Sequence, residues 1–119
     1  MTTFVLVHGG WVGSWCWRDV AEQLRANGHT VYTPTLTGLG ERAHLASPQI
    51  SLKTHAQDIA NVLFYEDLHD AIVVGHSYSG MPLTLVPRLA AERIQRLVYL
   101  DASVPQHGDC LAELVEGQT

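Results

Sequence analysis

Val73-Val74-Gly75-His76-Ser77-Tyr78-Ser79-Gly80 says more about this chain than any other segment. An apolar run ends in a glycine, a serine between small residues comes next, and a helical pattern begins at once. This is the form of a nucleophile elbow, a strained strand-to-helix turn that lifts a serine hydroxyl clear of the sheet. The usual pattern is G-x-S-x-G. Its last position here is Ser79, also small, with Gly80 just behind. Small residues are needed at 75 and 79 because so tight a turn brings their Cα atoms together. The competing reading is a plain glycine-bounded turn between a buried strand and a helix, since short motifs recur by chance.

The N-terminus supplies a second motif in the right order. Phe4-Val5-Leu6-Val7 reads as a short buried parallel strand and ends in His8-Gly9-Gly10-Trp11. Where an elbow serine performs acyl transfer, a glycine-rich loop after such a strand gives one N–H to the oxyanion hole. The residue after the nucleophile gives the other. Those donors are here the N–H groups of Gly10 and Tyr78. Glycine suits the position because no Cβ obstructs a developing oxyanion. An ordinary βα turn also favours glycine, but two ordered motifs coincide by chance far less often than one.

The remainder of the chain alternates β and α. Ser14 is a plausible N-cap for a helix from Trp15 to about Ala26, ended by Asn27-Gly28. Trp17, Val20, Ala21 and Leu24 recur at helical spacing and are expected to pack on the sheet. Thr30 to Thr33 reads as a second strand, stopped by Pro34. Ser51 is expected to cap a helix through about Asp67, with Ala56, Ile59, Ala60, Val62 and Leu63 on its apolar face. Ala71 to Gly75 is the third strand and Tyr78 to about Ala91 the elbow helix, which Pro87 should bend or shorten. Arg96 to Leu100 is the fourth strand, and residues 108–116 suit one short helix. The fold class is therefore α/β. A doubly wound parallel sheet of about four strands carries helices on both faces, in a single domain over residues 1–119. Sites in such sheets lie beyond the carboxyl ends of the strands, where Gly10, Ser77 and Asp101 would gather.

Composition narrows the function classes. The net charge is −5, and no basic block points to nucleic acid. The longest apolar runs are too short to span a membrane, and Phe4 to Val7 is too short for a leader's apolar core, so a cytoplasmic location is expected. Two cysteines, Cys16 and Cys110, make no disulfide framework, and Cys16 between two tryptophans reads as a buried small hydrophobe. Gly38-Leu39-Gly40-Glu41-Arg42-Ala43 is a nominal G-x-G-x-x-A. Pro34 separates it from the strand, and Ser47-Pro48 interrupts the chain soon after it, so no dinucleotide cofactor is expected. No histidine pair has metal-ligand spacing, so no metal is expected either.

A serine nucleophile needs an imidazole base and an orienting acid. Of seven histidines, His8 reads as a brace of the oxyanion loop and His76 as pointing away from Ser77. His29 opens a strand at the opposite end of the sheet, and His44 lies in the loop at the mouth. His55 and His69 read as surface or helix-edge positions. His107 comes after the fourth strand on the catalytic side, six residues after Asp101, so Ser77, Asp101 and His107 run in the order Ser, Asp, His. The alternative is a base that lies elsewhere. Trp11, Leu39 and Met81, with Tyr78, are candidates for an apolar substrate wall, although plain packing explains Trp11 as well.

Val7-His8-Gly9-Gly10-Trp11, Trp15-Cys16-Trp17, Gly28-His29-Thr30-Val31, Gly75-His76-Ser77 and Leu100-Asp101-Ala102 together resemble one known group. It is the α/β-hydrolase superfamily, in the branch of small bacterial esterases, plant methylesterases and hydroxynitrile lyases. The resemblance implies a strand order of second, first, third, fourth. It also implies a small-molecule ester as substrate and an acyl-enzyme on Ser77. Hydroxynitrile lyases of the branch carry a threonine where Gly9 stands, which favours ester hydrolysis. Members of the branch are roughly twice as long, with a cap and further strands that bring the usual histidine and late acid. The 119 residues match only the portion before that cap. Two further readings stay open: a catalytically incomplete core, or a binding module that keeps the fold. The strand edge left open would invite a second copy, so a homo-oligomer is expected.

Overall fold

The computed structural model describes residues 1–102. Four strands, β1 (Thr3–Val7), β2 (Thr30–Tyr32), β3 (Ala71–His76) and β4 (Ile94–Leu100), form one sheet in the order β2-β1-β3-β4. Every pairing is parallel, as the alternation of strands and helices requires. The register sets the site: Val7 lies beside Gly75, and His76 beside Leu100. The loop after β1, the elbow after β3 and Asp101 after β4 therefore leave the sheet side by side at one end.

Alternation along β1 sends Val5 and Val7 to one face and Phe4 and Leu6 to the other. The first face is covered by α2 (Leu52–Tyr65), α3 (Gly80–Leu85) and α4 (Pro87–Ala90). Ile59, Leu63, Leu83 and Val86 are fully buried there against Val5, Val7 and Val73. Each such side chain contributes about 1.5–3 kcal/mol by leaving water. The second face is covered by α1 (Arg18–Ala26) and the residue before it, with Ala21 and Trp17 packed on Leu6 and Val31.

Several local expectations change. Ser14 does not cap a helix. It opens a 3-10 turn, Ser14–Trp17, its hydroxyl donates to Glu41 Oε2 at 3.4 Å, and α1 begins only at Arg18. Trp17 and Ala21 bury on the sheet as expected, but Val20 is 44% exposed and Cys16 is exposed rather than buried. Gly28 does end the segment, at φ +89°. Ser51 does cap α2, through a box in which Ser51 N–H donates to Thr54 Oγ1 (3.0 Å) and Thr54 N–H to Ser51 Oγ (3.4 Å). Pro87 divides the elbow helix into α3 and α4. No helix among the described residues is long and apolar enough to cross a membrane.

Candidate active site

β3 ends at His76, and Ser77 takes φ +56°, left-handed backbone that a residue with a side chain rarely holds. A 3-10 turn over Ser77–Ser79 then feeds α3. The turn is tight enough that a Cβ at Gly75 would stand 3.0 Å from Leu83 Cδ2 and 3.2 Å from the Ser79 carbonyl carbon and oxygen. Ser77 itself is half-buried, and its neighbours on the turn, Ser79 and Gly80, are buried.

The loop after β1 lies directly against this turn. A Cβ at Gly9 would stand 3.2 Å from Ser77 Cβ and 3.3 Å from His76 Nδ1, and one at Gly10 would stand 3.4 Å from Tyr78 Cβ. His8 is fully buried beneath the loop. Its Nε2 accepts from Leu36 N–H at 2.9 Å, which leaves the proton on Nδ1 to donate to the Gly9 carbonyl at 2.6 Å. Both ring nitrogens are thus engaged, and His8 braces the loop. Burial holds its pKa below the ordinary value, against the Gly9 carbonyl and the Glu41 carboxylate, which favour the charged ring. Ser79 Oγ donates to the His8 carbonyl and ties the elbow to the loop.

Tyr78 is anchored from its far end. Its hydroxyl donates to His55 Nδ1 at 2.8 Å, while His55 Nε2–H donates to the Thr37 carbonyl at 2.8 Å. Thr37 is held in turn by Asp58, which accepts from its N–H (2.7 Å) and its hydroxyl (2.8 Å). Burial pushes the Tyr78 phenol up to about 12, so it remains a donor. His55 is 6% exposed, which corrects its reading as a surface position.

The other expected residues are spread around this centre. Asp101 is exposed at the end of β4, at φ +45°, one step beyond the residue paired with His76. Leu39 is half-buried in the cluster that includes Tyr78, Met81 is 2% exposed, and Trp11 is 96% exposed. His107 and Cys110 lie outside the described residues. His76 faces α1, edge-on to Trp17 at 6.4 Å, and His29 accepts from Thr2 N–H at the opposite end of the sheet. Exposed His69 pairs with Asp67 at 3.2 Å. Among the described residues, no three His, Cys, Asp or Glu side chains gather to hold a metal ion.

The model of the alpha/beta hydrolase family matches residues 4–117. The chain belongs to that family. An esterase of a Nocardioides species, described as carbendazim hydrolysing, is 53% identical over 97% of this alpha/beta hydrolase chain and 48% of its own length. Polyneuridine aldehyde esterase of Rauvolfia serpentina is 29% identical over 86% of the chain and 39% of its own. Among solved structures, an extracellular alpha/beta-hydrolase from a Paenibacillus species superposes with a TM-score of 0.86 at 34% identity. It covers 95% of this chain and 46% of its own, and is described as sharing structural and functional homology with tobacco salicylic acid binding protein 2. The chain spans about half the length of these relatives.

Two residues that shape this alpha/beta hydrolase elbow escape a reading of the sequence. Ser79 counts there only as a small residue, and nothing local announces a hydrogen bond to a residue 71 positions away. His55 does carry a signal. It stands four residues before Ile59, on the helical stripe that contains Ile59 and Leu63, both fully buried.

Proposed function

We propose that the chain carries the nucleophile and oxyanion hole of a serine esterase acting on small esters, methyl esters among them. The observation that carries this reading is Ser77 at φ +56° at the end of β3, with Gly9 packed on its Cβ and Gly10 on Tyr78. Ser77 Oγ attacks the ester carbonyl as an imidazole base takes its proton. The tetrahedral oxyanion accepts from Gly10 N–H and Tyr78 N–H. As it collapses, the alcohol leaves with the proton from the imidazole, and water then releases the acid from Ser77 by the same steps in reverse. Leu39 and Trp11 would flank the acyl or alcohol group, and buried Met81 would support the wall from behind. The base is His107 oriented by Asp101 in one reading. In the other, favoured by relatives of about double the length, it comes from residues beyond this portion of the fold.

Hydrolysis of p-nitrophenyl acetate by the chain, beside Ser77→Ala and His107→Ala, tests the reading. Ser77→Ala is expected to lower the rate at least about 10³-fold. Turnover that does not depend on Ser77 rejects the esterase. Activity that survives His107→Ala removes the in-chain base. Labelling of Ser77 by a fluorophosphonate without turnover identifies a core whose base lies elsewhere.

A further inference from the structure

Ser79 stands where the usual elbow carries glycine, so the turn itself does not require its hydroxyl. The side chain is nonetheless fully buried, and it donates to the His8 carbonyl across the gap between elbow and loop. A peptide unit is planar and trans, so the direction of a carbonyl fixes the direction of the N–H in the same unit. The His8 carbonyl shares its plane with Gly9 N–H, and the Gly9 carbonyl shares its plane with Gly10 N–H. Ser79 Oγ holds the first plane, and His8 Nδ1–H holds the second at 2.6 Å. The His8 ring is fixed in turn by Leu36 N–H at 2.9 Å. Both planes that lead to Gly10 N–H are clamped, and one clamp comes from the residue next to Tyr78.

We propose that Ser79 is a positioning residue: by tying the His8–Gly9 peptide to the elbow, next to the Gly9–Gly10 peptide that the His8 ring holds, it sets where Gly10 N–H stands relative to Tyr78 N–H, and so the geometry of the oxyanion hole. The inference rests on the esterase reading for its catalytic consequence, but its structural content stands apart from it. Ser79 touches no reacting atom. Its hydroxyl ties together two segments far apart in sequence, each of which carries one of the two donors. Removing it also leaves the buried His8 carbonyl without that donor.

The test compares the wild-type chain with Ser79→Ala. NMR relaxation order parameters of the Gly9 and Gly10 amides are expected to fall from about 0.85 toward about 0.6, with Val5 and Val73 unchanged. In turnover, kcat is expected to fall about 10–100-fold with KM within about twofold, less than the loss of a whole donor. The rate ratio of an oxygen ester to its thiono analogue should fall as well. Sulfur accepts hydrogen bonds poorly, so a slack hole costs the oxygen ester more, whereas a smaller folded fraction lowers both rates equally. Unchanged order parameters at Gly9 and Gly10, or an unchanged ester-to-thionoester ratio in an active variant, overturns the proposal. A wild type without Ser77-dependent turnover fails the esterase reading, and the relaxation experiment still decides on Ser79. Ser79→Gly, the usual elbow residue, repeats the comparison if Ser79→Ala does not fold. If neither folds, the wild-type Ser79 hydroxyl proton decides. A slowly exchanging resonance close to the Gly9 amide supports the tie, and its absence overturns it.

Discussion

Ser77 holds its left-handed backbone at a cost of roughly 1–3 kcal/mol, which surrounding packing must offset. Gly75 and Gly9 permit that packing, because a Cβ on either would press on the turn at 3.0–3.3 Å. The loop above depends on a neutral His8, since Nε2 must accept from Leu36 N–H. Burial lowers the folded-state pKa of His8 from 6.5, so the unfolded chain takes up a proton at a pH where the folded chain does not. The unfolded state therefore binds more protons below about pH 6.5, and stability rises with pH through that window. The contribution is complete above the unfolded pKa and is lost as pH falls toward the folded one. Urea unfolding is expected to show stability declining from pH 7 to pH 5, with a shallower decline in His8→Gln. Parallel curves for the two proteins would assign the acid sensitivity to other groups.

At the scale of the element, α2 shows what local sequence conveys and what it hides. Its start is legible because Ser51 and Thr54 satisfy each other's backbone donors within one turn. Its buried face is legible in Ala56, Ile59, Ala60 and Leu63. The burial of His55 is legible only in its place on the stripe four residues before Ile59, because a polar side chain enters a core only when distant groups satisfy it. Those groups, the Tyr78 hydroxyl and the Thr37 carbonyl, lie 23 and 18 residues away. α1 errs the other way. A hydroxyl at Ser14 suggests a cap, but Thr35 and Glu41 claim that residue, α1 begins only at Arg18, and Cys16 and Val20 are exposed. His55→Leu keeps α2 apolar on that face but leaves the Tyr78 hydroxyl and Thr37 carbonyl without these partners. It is expected to cost about 1–3 kcal/mol in urea unfolding. A variant as stable as wild type would show that apolar packing replaces both bonds.

Over the whole molecule, the alternation of strands and helices conveys a parallel sheet, while the strand order β2-β1-β3-β4 is legible only through the family resemblance. Pairing of β1 with β3 then brings His8 beside the elbow without any local signal linking them. The cover of the sheet is less even than its order. Among the described residues, three helices pack on one face and α1 alone on the other, where Val12, Cys16, Trp17, Val20, His76 and Leu100 line a groove of about 290 Å³. Among the described residues β4 pairs only with β3, and its last residue, Leu100, is 48% exposed. A seven-residue strand with one open edge beside an apolar groove offers backbone donors, acceptors and apolar surface together. The charge on that strand is Arg96, exposed near its start and away from the groove. We expect the 119-residue chain to associate through this edge, giving at least twice the single-chain mass in sedimentation velocity. Val98→Lys puts a charge beside Val74 on the thinly covered face and is expected to return single chains with unchanged circular dichroism. A wild-type chain that sediments as one copy at every concentration would show that this edge does not hold a second copy.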